Sequence, residues 1–294
     1  MYDIEKLHLA TSVPDAIAAL AADPAALVIC GGSDVLIKIR EGKLAGCSLV
    51  SIYGLEALRG VRMDQDGTIV IGPGTSFSHV TNNPIIQQHI PVLGFATDQA
   101  GGPQLRNIGT IGGNVCNGVT SADSASTLLT LNAELEITGP EGTRTVRQQD
   151  FYAGPGRVHL AHGELLTAIR IRKADYEGFS GHYIKYAQRN AMDIATLGCA
   201  VNLKLSQDKR NIEDYRIAFG VAAPTPIRCH KTEEMVMGKP ITAALLDAIG
   251  PSALTEVSPR TSWRASKAFR EQLVKTLSRR ATVQAIVSAG GQEA

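Results

Sequence analysis

Short apolar runs bounded by glycine, proline or aspartate fill the first half of the chain, and longer amphipathic stretches fill its last third. A helix is predicted after Thr11-Ser12, with Pro14 and Asp15 in its opening turn and Asp23-Pro24 as its stop. Residues 26–30 read as a buried strand, being short, apolar and β-branched, and they run directly into Gly31-Gly32-Ser33-Asp34. Residues 48–52 and 68–71 are further strands, the second entered through the turn Asp66-Gly67. The stretch from Thr75 to about Ala100 is helix-like, interrupted at Asn83-Pro84 and at Pro91. A second glycine-rich turn spans 109–114, and Asp123 opens a helix that runs through Leu131. A hairpin is predicted around Gly139-Pro140-Glu141-Gly142, and residues 165–171 alternate like a strand.

Residues 173–181 turn polar and carry glycine, which places a domain boundary there and divides the chain into 1–176 and 177–294. Beyond it, 195–205 and 215–221 are strand candidates. Residues 243–254 and 266–287 read as helices with Glu, Lys and Arg on one side and Leu, Val and Ile on the other. The order of elements predicts an α+β chain, a ligand domain followed by a smaller unit of sheet and helices.

Composition changes this picture little but removes several classes. Apolar residues make up 44% and charged residues 19%, enough to bury a core and too apolar for a disordered chain. The formal net charge is +1 and no basic stripe stands out, which argues against a nucleic-acid binder. The first residues lack a secretory pattern and no apolar run is long enough to span a bilayer, so a cytoplasmic location is expected. The five cysteines, at 30, 47, 116, 199 and 229, form no C-x-x-C pair and read as small buried thiols rather than cluster or zinc ligands. The histidines show no metal spacing, and His79, His159 and His162 read as surface residues. No nucleophile–base pair is evident.

The candidate chemistry lies in the two glycine clusters. Glycines let backbone approach a phosphate closely and turn its N–H groups inward, making an anion-binding nest. Ser33 adds a hydroxyl, and Asp34 can pin the turn. Alone, a Gly-Gly turn after a strand is more often plain punctuation. The cluster Thr110-Ile111-Gly112-Gly113-Asn114 repeats the theme of a hydroxyl, two glycines and an amide, and a diphosphate joining two bulky groups needs donors from both sides. The P-loop and G-x-G-x-x-G patterns are absent. Gly72-Pro73-Gly74-Thr75-Ser76-Phe77 has Phe at the third glycine and reads as a structural loop between strand and helix.

These residues resemble the FAD subunits and FAD domains of xanthine dehydrogenase and related molybdenum hydroxylases, a group that includes carbon monoxide dehydrogenase medium subunits. The resemblance runs along essentially the whole chain. Leu27-Val28-Ile29-Cys30-Gly31-Gly32-Ser33-Asp34 is similar to the family's first FAD loop, and Arg106 through Gly109-Thr110-Ile111-Gly112-Gly113-Asn114 to its second. Ser121-Ala122-Asp123, Leu165, Ile184-Lys185, and Arg189 with Asp193-Ile194-Ala195 match later cofactor-side positions. Pro224-Thr225-Pro226-Ile227-Arg228 and Ser262-Trp263-Arg264-Ala265-Ser266 resemble its C-terminal domain. Three positions depart from the pattern: Cys30 replaces a small Ala, Ala100 replaces an aromatic, and Met192 replaces an acidic residue on the NAD side. The extra cysteine cluster of the hydroxybenzoyl-CoA-reducing branch is missing.

The resemblance implies a two-lobed FAD-binding (PCMH-type) domain followed by a CO-dehydrogenase-flavoprotein-type C-terminal domain. It implies one FAD in this chain. Molybdopterin and [2Fe–2S] clusters would belong to partner subunits of a heterotrimer, or of a dimer of heterotrimers, with NAD as acceptor. Both glycine loops should contact the diphosphate, Ser33 and Thr110 adding hydroxyl bonds. Asp123, acceptor-only when ionised, fits a ribose or adenine donor; the alternative is a helix N-cap. Leu165 and Ile184 would flank the flavin. Lys185 would stabilise negative charge at its pyrimidine edge, against the alternative of a solvated strand lysine. Arg189 and Asp193 would orient a loop over the flavin, or form an ordinary ion pair. Trp263 is expected to pack between domains or subunits. The competing functions are a self-sufficient flavin oxidase or reductase, the FAD subunit of a hydroxylase acting on another heterocycle or an aldehyde, and a non-enzymatic nucleotide-binding scaffold.

Overall fold

The computed structural model describes residues 2–292, which form two lobes and a C-terminal unit. In the first lobe the strands Ile4–Leu9, Cys47–Ser51 and Leu27–Ile29 lie in that order as a parallel sheet. Helix Val13–Ala22 starts where Ser12 accepts the Asp15 N–H, and it ends at Asp23. Ala16 and Leu20 on its inner face pack against Ala26, Val50 and Ile52. The strand Ile4–Leu9 was not expected. Leu7 and Leu9 are exposed, so its pattern carries no buried alternation, and it is held by backbone pairing to Cys47–Ser51.

The second lobe is an antiparallel sheet in the order Val61–Met63, Ile69–Ile71, Leu165–Ile171, Glu134–Gly139, Gly142–Arg147. The predicted hairpin at 139–142 joins its last two strands. The long helix-like stretch divides at the prolines into Phe77–Asn82, Pro84–His89 and Pro91–Asp98. Pro84 and Pro91 each take the first position of the next helix, where no intrahelical N–H is needed, and Asn83 caps Ile85. These helices and Asp123–Thr130 supply Phe77, Val80, Ile86, Leu93 and Leu128 to a core shared with Ile69, Ile71, Leu135, Ile137 and Ile169.

The C-terminal unit is a second antiparallel sheet, Ser180–Tyr186, Leu197–Leu205, Ile212–Gly220 and Ile227–Arg228. Ala243–Leu254 and Lys267–Ser288 cover one face, burying Leu246, Ile249, Val274, Leu277 and Ile286 against it. The other face lies on the helices Pro91–Asp98 and Asp123–Thr130 of the second lobe. Leu197–Leu205 is therefore buried on both faces and reads as a nearly continuous apolar run. Asp123–Thr130 lies at the centre of this packing: every residue in it is buried, although five of the eight in DSASTLLT are polar.

Candidate functional site

The first glycine cluster falls in the turn between Leu27–Ile29 and helix Val35–Arg40, at the edge of the first lobe. The second belongs to the other lobe and is not a turn. Ile111–Cys116 is a short helix that contains Gly112 and Gly113, with Thr110 at its N-cap accepting the Gly113 N–H at 3.2 Å. Two glycines inside a helix are unfavourable, and close approach explains one of them. A Cβ on Gly112 would lie 2.3 Å from Pro73 Cβ, and the Gly112 N–H donates to Pro73 O at 2.9 Å. The strap Gly72-Pro73-Gly74-Thr75 is thus structural: Gly74 donates to Leu58 O and Ile111 donates to Thr75 O.

The two clusters meet. A Cβ on Gly31 would lie 2.1 Å from the carbonyl oxygen of Ile108 and 3.2 Å from Gly109 Cα. Gly32 sits at φ +72°, turning the following N–H groups away from the strand. Lys38, one helical turn on, pairs with Asp34 at 2.5 Å and donates to Asn117 Oδ1 at 3.4 Å, so a cation bridges the two lobes beside the glycines. Neither Lys38 nor Asn117 was legible as part of a site, because their partnership spans 79 residues.

The available donors are unequally shared. Among the described residues, the backbone N–H groups of Gly32, Ser33 and Asp34 meet no protein acceptor. In the second cluster Gly109 donates to Leu105 O, Ile111 to Thr75 O and Gly112 to Pro73 O, all within 3.0 Å. Their N–H groups are already committed. The backbone donors without a protein partner therefore lie mainly in the first cluster, and the second presents a close-fitting wall. Gly113 leaves the wall open, since a Cβ there would meet only its own Thr110 Oγ1. Asn114 Oδ1 accepts from Ser124 Oγ at 2.7 Å, tying the wall to the central helix.

Cys30 borders the junction half-buried, in the same cluster as Val28 and Leu165. Burial pushes its thiol above the ordinary range, against a smaller opposing pull from Thr110. Leu27, Val28 and Ile29 hold the strand in register with Leu49, Val50 and Ser51. Leu165 is buried among first-lobe side chains, while its backbone pairs with Thr138 of the second lobe.

Asp123 and Lys185 were placed by sequence at separate ends of a cofactor, and the fold brings them together. Lys185 Nζ donates to Asp123 Oδ2 at 2.9 Å and to the Gln99 carbonyl at 2.9 Å. Tyr183 Oη donates to Asp123 Oδ1 at 2.9 Å. Asp123 is the first residue of its helix but does not cap it. The pair is buried, and the strand's period of two puts Tyr183 and Lys185 on the face toward Asp123. Ile184 faces the other way, against the C-terminal core. Burial pushes the Asp123 carboxyl up, and the lysine and the tyrosine hydroxyl hold it back. Tyr183, missed from sequence, was findable by that alternation.

Of the remaining positions, Asp193 accepts the N–H groups of Gln188, Arg189 and Ile194, folding the loop 187–196 around its carboxylate. Met192 lies at its tip with φ +56° and donates its N–H to Gly101 O. Ala100 is buried in the second-lobe core. Trp263 does not pack between domains: it is 79% exposed, with the Arg264 guanidinium 4.1 Å above its ring. No group of three or more His, Cys, Asp or Glu among the described residues could hold a metal ion. Among the described residues, no helix is long and apolar enough to cross a membrane.

Residues 3–173 match the family model described as the FAD binding domain in molybdopterin dehydrogenase, and 182–285 match the CO dehydrogenase flavoprotein C-terminal domain. The chain is 43% identical over 292 residues to the xanthine dehydrogenase FAD-binding subunit of Escherichia coli O157:H7, covering 99% of each. It is 30% identical over 253 residues to the glyceraldehyde dehydrogenase medium chain of Sulfolobus acidocaldarius, covering 86% of this chain and 88% of that one. The carbon monoxide dehydrogenase structure from Hydrogenophaga pseudoflava superposes with a TM-score of 0.92 at 27% identity, over 98% of this chain and 99% of the other.

Proposed function

Because the chain belongs to the family of FAD-binding subunits of molybdenum hydroxylases, we propose that it is the flavin subunit of a purine-oxidising, xanthine-dehydrogenase-like complex. The observation that carries the flavin reading is the apposition of the two glycine clusters. They close on each other tightly enough to exclude a Cβ at Gly31, while leaving the N–H groups of Gly32, Ser33 and Asp34 without a protein acceptor. Unpaired donors at a glycine junction fit a diphosphate, and the ammonium of Lys38 lies beside them, paired with Asp34. The xanthine reading rests on the 43% identity to a xanthine dehydrogenase FAD-binding subunit.

On this reading, Gly32, Ser33, Asp34 and Thr110 donate to the diphosphate. Leu27 to Gly31 hold the first turn in register, and Gly109 to Asn114 form the opposing wall. Leu165 and Cys30 shape the adjoining apolar surface. Asp123 receives a sugar or base donor only by sharing its oxygens with Tyr183 and Lys185, which fix its orientation. Lys185 presents an ammonium that is already paired with Asp123. Bound FAD would accept electrons singly from a [2Fe–2S] partner and pass a hydride to NAD. The domain division is placed at 176/177, between the end of Leu165–Ile171 and the start of Ser180–Tyr186.

Substrate oxidation would take place in a molybdopterin subunit and reach this chain through an iron–sulfur subunit, all in the cytoplasm. The test is anaerobic flavin bleaching with a panel of purines and aldehydes. The FAD-loaded chain alone should not bleach; with both partner subunits, hypoxanthine or xanthine should bleach it and NAD should be reduced. Bleaching by substrate without partners would establish a self-sufficient oxidase instead. Bleaching of the complex by an aldehyde and by no purine would move the substrate class.

A further inference from the structure

Away from the glycine junction, a cleft of about 400 Å³ opens where the helix Pro91–Asp98 crosses the strand Ser180–Tyr186. None of the glycine-cluster residues lines it. Its wall contains no aspartate, glutamate, lysine or arginine, although the chain is 19% charged. Aromatic rings stand on two sides. Phe95 stacks with His182, centroids 6.0 Å apart, and His89 meets Tyr176 edge-on at 5.6 Å. Phe179 joins them, its ring held in place by the Arg216 guanidinium 4.3 Å away. Burial lowers His182 below the ordinary histidine range, which keeps that side of the wall neutral.

One polar group in this wall has no partner. Asn202 is 2% exposed, and its Nδ2 amide finds no acceptor in the protein. Buried polar groups in a folded chain are almost always paired, so an orphan donor on a residue that lines a cleft is an unusual combination. The cleft falls within the volume of small-molecule sites, which are mostly apolar and aromatic with few polar groups to fix orientation.

We propose that this cleft is a second ligand site, distinct from the glycine junction, that takes an uncharged planar aromatic ring bearing a carbonyl oxygen. The rings of Phe95, His182, Tyr176 and Phe179 would sandwich or flank the ligand, and the Asn202 amide would donate to its carbonyl. A charged ligand has no counter-ion there, and a purely apolar one leaves Asn202 unsatisfied. Tyr183 is the shared wall between the sites. It lines this cleft and its hydroxyl donates to Asp123, so occupancy would be felt at the Asp123–Lys185 pair.

The test uses the full chain saturated with FAD and three probes: 1-naphthamide, 1-methylnaphthalene and 1-naphthoate. Titration followed by naphthalene fluorescence should rank the amide at least tenfold tighter than either of the others. Phe95→Ala removes a half-exposed ring at the mouth and should weaken the amide at least fivefold while FAD content stays at the wild-type level. Asn202→Leu should abolish the preference for the amide over the methyl compound. Equal affinity for the amide and the methyl compound on the wild-type chain overturns the assignment of Asn202, and this comparison stands even where the buried variant fails to fold. Tightest binding of the naphthoate, no response to Phe95→Ala, or binding of the amide to the FAD-free chain but not to the FAD-saturated one would each overturn the site. The last outcome would place the probe in the glycine junction instead.

Discussion

Gly31 and the carbonyl of Ile108, 77 residues apart in sequence (108 − 31), touch so closely that a methyl group on the glycine would overlap the oxygen, at 2.1 Å. The neighbouring atom is backbone, and it sits at the end of the helix Pro103–Ile108, so it cannot swing aside as a side chain would. Gly31→Ala must therefore push the lobes apart. We expect a loss of about 2 kcal/mol or more in stability, in the range of overpacking, together with loss of FAD retention. Gly113→Ala is the contrasting variant. It meets only Thr110 Oγ1, so its stability cost should stay near that of a perturbed cap, about 1 kcal/mol, while FAD affinity falls. Thermal unfolding of the apo chain and flavin content after gel filtration separate the two effects. Full flavin in a folded Gly31→Ala chain would contradict the apposition as the basis of the site.

The buried pair Lys185–Asp123 should behave as a unit. Lys185→Met leaves a carboxylate enclosed with only Tyr183 to stabilise it, at a cost of about 3–5 kcal/mol. Lys185→Met combined with Asp123→Asn should recover most of that loss, and a denaturant double-mutant cycle measures the recovery. Strict additivity would mean that the two side chains do not depend on each other.

That single variant also carries a pH signature. Burial already raises the Asp123 carboxyl above its ordinary value of 3.8, and removing the lysine raises it further. A group whose folded pKa is raised contributes stability below its unfolded pKa and loses it as pH rises through the folded one. The stability deficit of Lys185→Met relative to wild type should thus shrink as pH is lowered from 7 toward 4. A deficit that is flat across this window would place the burden elsewhere than on the ionised Asp123.

Flavin potential should follow the charge of the pair rather than of the lysine alone. Lys185→Met leaves a net negative charge and should lower the FAD reduction potential. The double variant, neutral like the wild-type pair, should return within about 30 mV of it, the equivalent of a tenfold change for a two-electron couple. Anaerobic redox titration against reference dyes reads both values. An unchanged potential in both variants would remove the pair from the flavin's surroundings.

Arg228 ties the C-terminal sheet to the second lobe. Its Nε donates to Glu233 Oε1 at 2.6 Å, and its Nη1 donates to the Leu129 carbonyl and to the Asn132 side chain. Glu233 is buried and also accepts the Ile217 N–H. Arg228→Met would leave that carboxylate with only the Ile217 N–H and His230 as partners and free the seam, at about 3 kcal/mol. Limited proteolysis should then cut at 173–181, the connection between the two units, well before the wild-type chain is cut there. Equal protection would show that the helix packing on Asp123–Thr130 holds the seam unaided.

Local rules were sufficient for much of this chain. Proline positions divided the helical stretch at 83–84 and 90–91, Ser12 and Ser266 started helices, and period-two alternation located Leu165–Ile171. These signals are local because they depend on φ restriction, capping and the direction of successive side chains, all fixed within a few residues. Motif residues identified both glycine clusters as cofactor candidates in the same way. Contacts between distant segments had no such signal. The exposed strand Ile4–Leu9 exists only through its partner Cys47–Ser51. Gly112 has to be glycine because Pro73 lies where its side chain would be. Asp123 and Lys185 became one buried pair because the C-terminal sheet docks on the helix Asp123–Thr130, and desolvation then favours neutralising each charge with the other. The sequence marked the two glycine clusters as the residues proposed to bind a flavin diphosphate; tertiary packing decided which of their donors were already taken.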